Sequence, residues 1–283
     1  MVAQRIANTK RPGKKILKTI LMCAPDHFGV AYVINPWMEG QFARTDADEA
    51  QRQWQALKAL IETRVKVCLV GPARPDLPDL VFTANAGLPM GESVVISRFR
   101  CPERRGEEAV FRAWFEAQGY EIVDPPRDMF FEGAGDALHD ETRDLLWVGH
   151  GFRSHKDIAP FLEARFGTRA VSLGLADPRF YHLDTCLCPL PGGSLMYFPG
   201  AFDAPSREAI EAIVPEAHRI CVSEADAKHF CCNAVALDDL VILNHASPAL
   251  RDRLAQAGIA VALTPLTQFL KAGGAAKCLT LEL

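Results

Sequence analysis

Five polar residues recur along this chain at nearly equal intervals. Asn85 in FTANAG, Glu132 in FFEGAGD, His182 in YHLDTCL, Asn233 in CCNAVAL and Cys278 in GGAAKCL are separated by 47, 50, 51 and 45 residues. Their apolar neighbours predict a core, where an unpaired polar group costs ~1–3 kcal/mol, so a shared chemical task explains them better than packing does. A cysteine, a histidine and carboxylates are the parts of nucleophilic catalysis: a thiolate attacks an electrophilic carbon, and an imidazole carries protons to the leaving group and from water. The acids Glu132, Asp136 and Asp184 would repel an anion and raise the pKa of a nearby thiol, so they suit a cationic ligand that neutralises them on arrival. A planar guanidinium fits, because its N–H fork bonds carboxylates in pairs. Gly273 and Gly274 predict a tight turn before Cys278 that lets a ligand approach the backbone. Asn233 shares the register but is assigned no role.

Residues so far apart need a repeated scaffold to meet. Helical periodicity predicts helices over 46–64, with Trp54, Leu57 and Ile61 on one face, and over 103–118, with Phe111, Trp114 and Phe115 together. Ser154 is the expected N-cap of a helix over 155–166, Ser206 that of a helix over 207–213, and Ser247 with Pro248 opens one that Gly258 ends. β-rich runs follow each helix, at 65–70, 120–123, 169–173, 219–222 and 259–263. Further strands are expected at 80–84, 93–97, 134–138, 145–148, 185–190, 195–198, 234–237, 240–243 and 275–283. The last repeat is then one strand short, and 19–22 supplies it. This predicts an α/β fold of five modules closed into a ring by the N-terminal strand, with the polar residues at inner strand starts facing the axis. A flexible leader over 1–18 and one catalytic domain over 19–283 complete the organisation.

The composition narrows the class. Hydrophobic residues make up 49% of the 283 residues, enough for a sizeable core, and the net charge of −4 carries no basic patch for nucleic acid. The longest apolar runs are strand-sized, which excludes a membrane-spanning helix, and the basic, polar start lacks the apolar region of a secretion signal. Nine cysteines, two of them adjacent at 231 and 232, argue against a disulfide framework and for a reducing, cytoplasmic setting. Cys186, Cys188, Cys231 and Cys232 lack the spacing of a zinc site, so no metal and no cofactor is expected.

The ordered set FTANAG, FEGAGD, HLDT and GGAAKCLTLEL, with MCAPDHFGVAYVINPWM upstream, resembles the guanidino-group-modifying superfamily, the penteins. Within it the chain looks most like the arginine dihydrolases and dimethylargininases. The resemblance implies a five-module αβ propeller, and it makes Cys278 a nucleophile that forms a covalent adduct with the guanidine carbon. By the same motifs His182 becomes the general acid and base, and Glu132 a carboxylate on both guanidinium and imidazole. Asp184, expected on the same strand face as His182, would bind the guanidinium, with Asp136 also at the substrate. Asn85 stands where deiminases carry an acid. With Asn35 in INPWM it points to the dihydrolases, since an amide can donate to a ureido oxygen as an ionised acid cannot. Arg104 takes the position of a clamp for the substrate carboxylate.

The leading expectation is therefore hydrolysis of arginine to ornithine, ammonia and carbon dioxide. Its rivals are dimethylargininase activity, amidinotransfer and a non-catalytic propeller that only binds. The partner implied is a small guanidino compound, arginine or methylated arginine, and a homo-oligomer is compatible with the sequence.

Overall fold

The computed structural model describes residues 18–283. Except for Lys18, the expected leader lies outside them. Five three-stranded sheets are present among the described residues, and four share one connectivity. An antiparallel hairpin is followed by a helix, and the third strand returns parallel to the second. Gly87–Met90 and Ser93–Ile96 pair with Glu121–Val123 across the helix Gly106–Ala117, and Ala137–Asp140 and Leu145–His150 with Arg169–Gly174 across Ile158–Phe166. Leu187–Pro189 and Leu195–Tyr197 pair with Arg219–Cys221, and Val235–Leu237 and Leu240–Leu243 with Ala260–Leu263.

The fifth sheet uses both ends of the described chain. Thr19–Cys23 runs parallel to Lys66–Val70 and antiparallel to Leu281–Glu282, which takes the place of the first hairpin strand. The ring therefore closes as expected, a five-module αβ propeller, but each module begins one hairpin before its helix. The helices pack their apolar faces on the sheets: Trp54, Leu57 and Ile61 of Ala47–Glu62 are at most 1% exposed, as are Phe111 and Phe115. No helix among the described residues is long and apolar enough to cross a membrane.

Two corrections fall on residues expected to cap helices. The third helix starts at Ile158, and Ser154 is drawn into the centre of the molecule. The fourth starts at Ala204 with Asp203 as its cap, while the Ser206 hydroxyl accepts the Gly174 N–H at 2.7 Å. A third correction matters more for chemistry. The expected strand starts at 80–84, 134–138 and 185–190 are 3-10 turns, Thr83–Ala86, Gly133–Gly135 and Leu183–Thr185, with strands beginning only at Gly87, Ala137 and Leu187. At the axis every residue is buried whichever way it points, so the alternation that marks a strand is missing from the sequence. Gly133, at φ +61, and the Thr185 hydroxyl, bonded to the His182 carbonyl at 2.6 Å, favour turns locally.

Candidate active site

Glu132 and His182 each precede one of these turns, and their side chains meet with Glu132 Oε2 2.7 Å from His182 Nε2. Arg153 Nη1 donates to the same oxygen at 3.2 Å, and the Arg100 N–H donates to Oε1 at 3.2 Å. Burial alone would favour the protonated acid. The Arg153 charge and the bond to His182 outweigh it and hold the Glu132 carboxyl well below the usual carboxylate range. Glu132 thus stays ionised, and the imidazole keeps Nδ1 for proton traffic.

Behind the pair sits Asp136, fully buried. Its Oδ1 accepts the Leu183 N–H at 3.0 Å, and its Oδ2 accepts the Ser154 hydroxyl at 2.6 Å. That hydroxyl in turn accepts the Glu132 N–H at 3.0 Å. One carboxylate thus fastens the Glu132 turn to the His182 turn, so Asp136 is no substrate ligand in this arrangement; burial raises its carboxyl to about 6. Gly149 is needed for this approach, since a Cβ there would lie 2.7 Å from the Leu183 Cβ and 3.2 Å from Asp136 Oδ1.

Cys278 stands in the turn before Leu281–Glu282. Its Sγ–H donates to Asp184 Oδ2 at 3.4 Å, and its sulfur accepts Asn233 Nδ2 at 3.1 Å. Burial, and then the neighbouring Asp184, push the thiol well above its ordinary value, so the resting sulfur keeps its proton. Burial also raises Asp184 to about 6, and its Oδ1 has no hydrogen-bond partner among the described residues. A buried carboxylate oxygen left open beside a nucleophile is a place for a cationic N–H donor. Contrary to expectation, Asp184 does not share a strand face with His182: from a 3-10 turn the two side chains diverge, His182 to Glu132 and Asp184 to Cys278.

Cys278 and His182 line one small cavity of about 10 Å³, together with Asn85, Arg104, Arg153 and Asp79. That volume holds about one water molecule. Ile34, Asn35 and Met38 form one of its walls, and admitting a ligand larger than water requires a wall to move. Arg153 Nη2 bonds the Ile34 carbonyl at 2.8 Å and Trp37 Nε1 the Arg179 carbonyl at 2.7 Å, fixing that wall. The Asn35 amide, expected at the substrate, caps the turn Pro36–Met38 through Oδ1 and reaches the Ala272 carbonyl through Nδ2 at 3.0 Å. Gly273, at φ +82, serves packing where ligand approach was expected: a Cβ would lie 2.8 Å from the Tyr181 hydroxyl and 2.9 Å from Asn35 Oδ1.

Asn85 is held from two sides. Its Oδ1 accepts Arg104 Nη1 at 2.8 Å, and its Nδ2 donates to the Glu132 carbonyl at 3.1 Å. A guanidinium has no acceptor, so the oxygen must face Arg104 and the NH₂ group the Glu132 backbone carbonyl. Arg104 itself forks onto Glu107, Nε to Oε1 at 2.8 Å and Nη2 to Oε2 at 2.7 Å, over the Phe99 ring. It lines the cavity as expected, yet with most donors committed it is first the holder of Asn85. Arg153, which sequence reasoning passed over, shares the wall, stacked 4.6 Å from the Tyr181 ring centre. Asp79, also passed over, accepts the Tyr32 hydroxyl on Oδ2 at 2.8 Å and leaves Oδ1 unpartnered among the described residues. Nothing local in GFRSHKD or DLPDL separates either residue from a solvated loop. For Asn233 the signal was its register with the other four.

A larger cavity, about 480 Å³, runs along the inner strands and touches the catalytic turns at Ala134, Ala234 and Lys277. Neither His182 nor Cys278 reaches it.

The sequence signature of the eukaryotic N,N-dimethylarginine dimethylhydrolase family matches residues 37–283. The bifunctional arginine dihydrolase/ornithine cyclodeaminase ArgZ of Synechocystis is 54% identical over 263 residues, 93% of this chain, and the chain spans 37% of that relative's length. The N(G),N(G)-dimethylarginine dimethylaminohydrolase of Mycobacterium tuberculosis is 39% identical over 93% of this chain and 84% of its own. Crystal structures of the N-terminal domain of ArgZ, described as an arginine dihydrolase of cyanobacteria, superpose with a TM-score of 0.92 at 54% identity, covering 94% of this chain and 97% of theirs. One is a Cys→Ser mutant bound to substrate; another is an Asn→Ser variant covalently bound to a reaction intermediate.

Proposed function

The chain belongs to the N,N-dimethylarginine dimethylhydrolase family, in the arginine dihydrolase and dimethylargininase-like part of the pentein superfamily, and from that premise we propose that it hydrolyses free arginine twice. The observation that carries the two-step reading is the fixed orientation of Asn85. The first hydrolysis leaves a neutral ureido group, and the Asn85 NH₂, turned by Arg104 toward the Glu132 backbone, donates its second N–H to the new oxygen. Held there, the intermediate meets the thiolate again. The cysteine altered in one ArgZ structure and the asparagine altered in the other are separated by the same number of residues as Cys278 and Asn85, which supports these two assignments.

Once the cavity widens, the guanidinium pairs with Asp184 Oδ1, and the open Oδ1 of Asp79 suits the α-ammonium at the other end. Arg153 and Arg104, which also line the cavity, are the cations for the α-carboxylate. The guanidinium takes the carboxylate that held the thiol proton, so the proton passes to the imidazole and the thiolate attacks the guanidine carbon. His182 protonates the departing ammonia, then takes a proton from the water that releases the sulfur. A second attack expels the second ammonia, and hydrolysis of that adduct leaves a carbamate that loses carbon dioxide. Arginine and two waters give ornithine, two ammonia and carbon dioxide, with no cofactor in the balance. A thiol nucleophile of this kind suits the reducing cytoplasm.

Product analysis tests the reading. Arginine should yield ornithine and ammonia in a ratio of one to two with no citrulline accumulating. Citrulline as end product refutes the second step. Dimethylamine from dimethylarginine at a higher kcat/KM favours the dimethylargininase reading, transfer to an added amine favours amidinotransfer, and binding without turnover a non-catalytic propeller.

A further inference from the structure

We propose that Asn233 is a catalytic residue that activates the nucleophile: its amide directs the Cys278 sulfur and stabilises the thiolate by a neutral N–H donation. The inference rests on the reading of Cys278 as nucleophile and goes beyond it. Asn233 is 0% exposed, and every hydrogen-bonding position of its side chain is filled. Oδ1 accepts the backbone N–H of Ala275 at 3.0 Å and of Cys278 at 3.1 Å, while Nδ2 donates to the Asp184 carbonyl at 3.1 Å and to Cys278 Sγ at 3.1 Å. The Lys277 N–H adds a bond to the Asn233 carbonyl at 3.3 Å.

Two facing N–H donors leave no choice of amide orientation: the oxygen must meet them, so the NH₂ faces the sulfur. A hydrogen bond to sulfur favours the thiolate over the thiol. At rest it works against burial and Asp184, which keep the proton on sulfur. When a guanidinium occupies Asp184, the sulfur loses its acceptor and the Asn233 donation remains, so the residue acts most at the moment of attack. A carboxylate in its place could accept from Ala275 and Cys278 but could not donate, and it would add a like charge. A neutral amide is thus the side chain that both holds the turn and supports a thiolate.

The test uses alkylation of Cys278 by 2-chloroacetamidine, followed by mass spectrometry across pH. Relative to wild type, N233D and N233A should shift the midpoint of labelling upward by at least one pH unit, about tenfold slower labelling at neutral pH. Arginine affinity of N233A in a Cys278→Ser background should stay within about threefold, because the amide faces sulfur and backbone. An unchanged midpoint in a folded variant overturns the proposal, and parallel loss of affinity reduces Asn233 to scaffolding. Should neither variant fold, wild-type protein labelled with ¹⁵N-asparagine serves. One side-chain amide must titrate with the thiol and stop titrating after Cys278→Ser; none doing so refutes the assignment. Wild type in which Cys278 escapes label disproves the nucleophile itself, an outcome distinct from failure at Asn233.

Discussion

On the imidazole side of the cavity, Glu132 meets a fixed cation at Arg153, and its carboxylate stays charged with His182 already in contact. On the thiol side, Asp184 has no hydrogen-bonded cation among the described residues, burial lifts it to about 6, and Cys278 keeps its proton. The first wall is assembled before any ligand arrives, with charges compensated and turns fastened together by Asp136 and Ser154. The second lacks one positive charge, which a guanidinium brings. Keeping the thiol dormant until then limits oxidation and stray alkylation of the nucleophile.

Removing the sulfur should separate the walls most sharply. Cys278→Ser is expected to lose on the order of 10⁴-fold or more in kcat, with thermal unfolding nearly unchanged because a serine hydroxyl can still donate to Asp184 and accept from Asn233. A large fall in Tm would show that the thiol wall is structural after all. Glu132→Gln attacks the other wall, and both properties should suffer: kcat by about 10²–10⁴-fold and stability by roughly 3–5 kcal/mol, since Arg153 keeps a buried charge without its partner. Urea unfolding indistinguishable from wild type would refute the compensated-charge account.

Asn85→Asp removes the donor between the walls, and citrulline released per ornithine should rise about tenfold, the worth of ~1.4 kcal/mol of hydrogen bonding; unchanged product ratios would end the amide argument. The pH dependence follows from the carboxyls. Asp184 at about 6 is raised, so the folded state holds its proton more tightly than the unfolded, and free-protein stability from this group falls as pH rises from about 4 to 6. Glu132 is lowered and acts oppositely: its contribution is complete above about 4.3, the unfolded value, and is lost as pH falls toward the folded one. Arginine binding to Cys278→Ser protein should accordingly weaken about tenfold from pH 7 to pH 5, with proton release on binding near pH 6. Calorimetry in buffers of different ionisation heat measures both, and a flat profile would remove Asp184 from the cation site. The smallest effect is expected from Ser154→Ala, about 1 kcal/mol of stability and a few-fold in kcat.

Much of the fold was legible because its signals are local and repeated. The five longer helices recur at regular intervals, each amphipathic face reads directly from residues such as Trp54, Leu57 and Ile61, and the paired ends follow from one repeat being a strand short. The strand starts were not legible, because burial on all sides at the axis erases the period of two. The site shows the same division. Glu132, His182 and Cys278 were marked by type and register, and all three are gathered at one centre. Arg153, Asp79 and Ser154 were missed because their partners lie 21, 47 and 18 residues away, where no local pattern records them.

The sequence by itself determined how often the chain returns to the axis and which chemical groups it carries there, because helix and strand periods and residue types are properties of short segments. What tertiary structure alone decided is the partner of each group: Asp136 to a serine hydroxyl and a backbone amide, Arg104 to Glu107 and Asn85, Asn233 to the sulfur. Direction at the axis is set by the dihedral angles of 3-10 turns packed against one another. A one-residue change in where a turn begins redirects a side chain by about 120°.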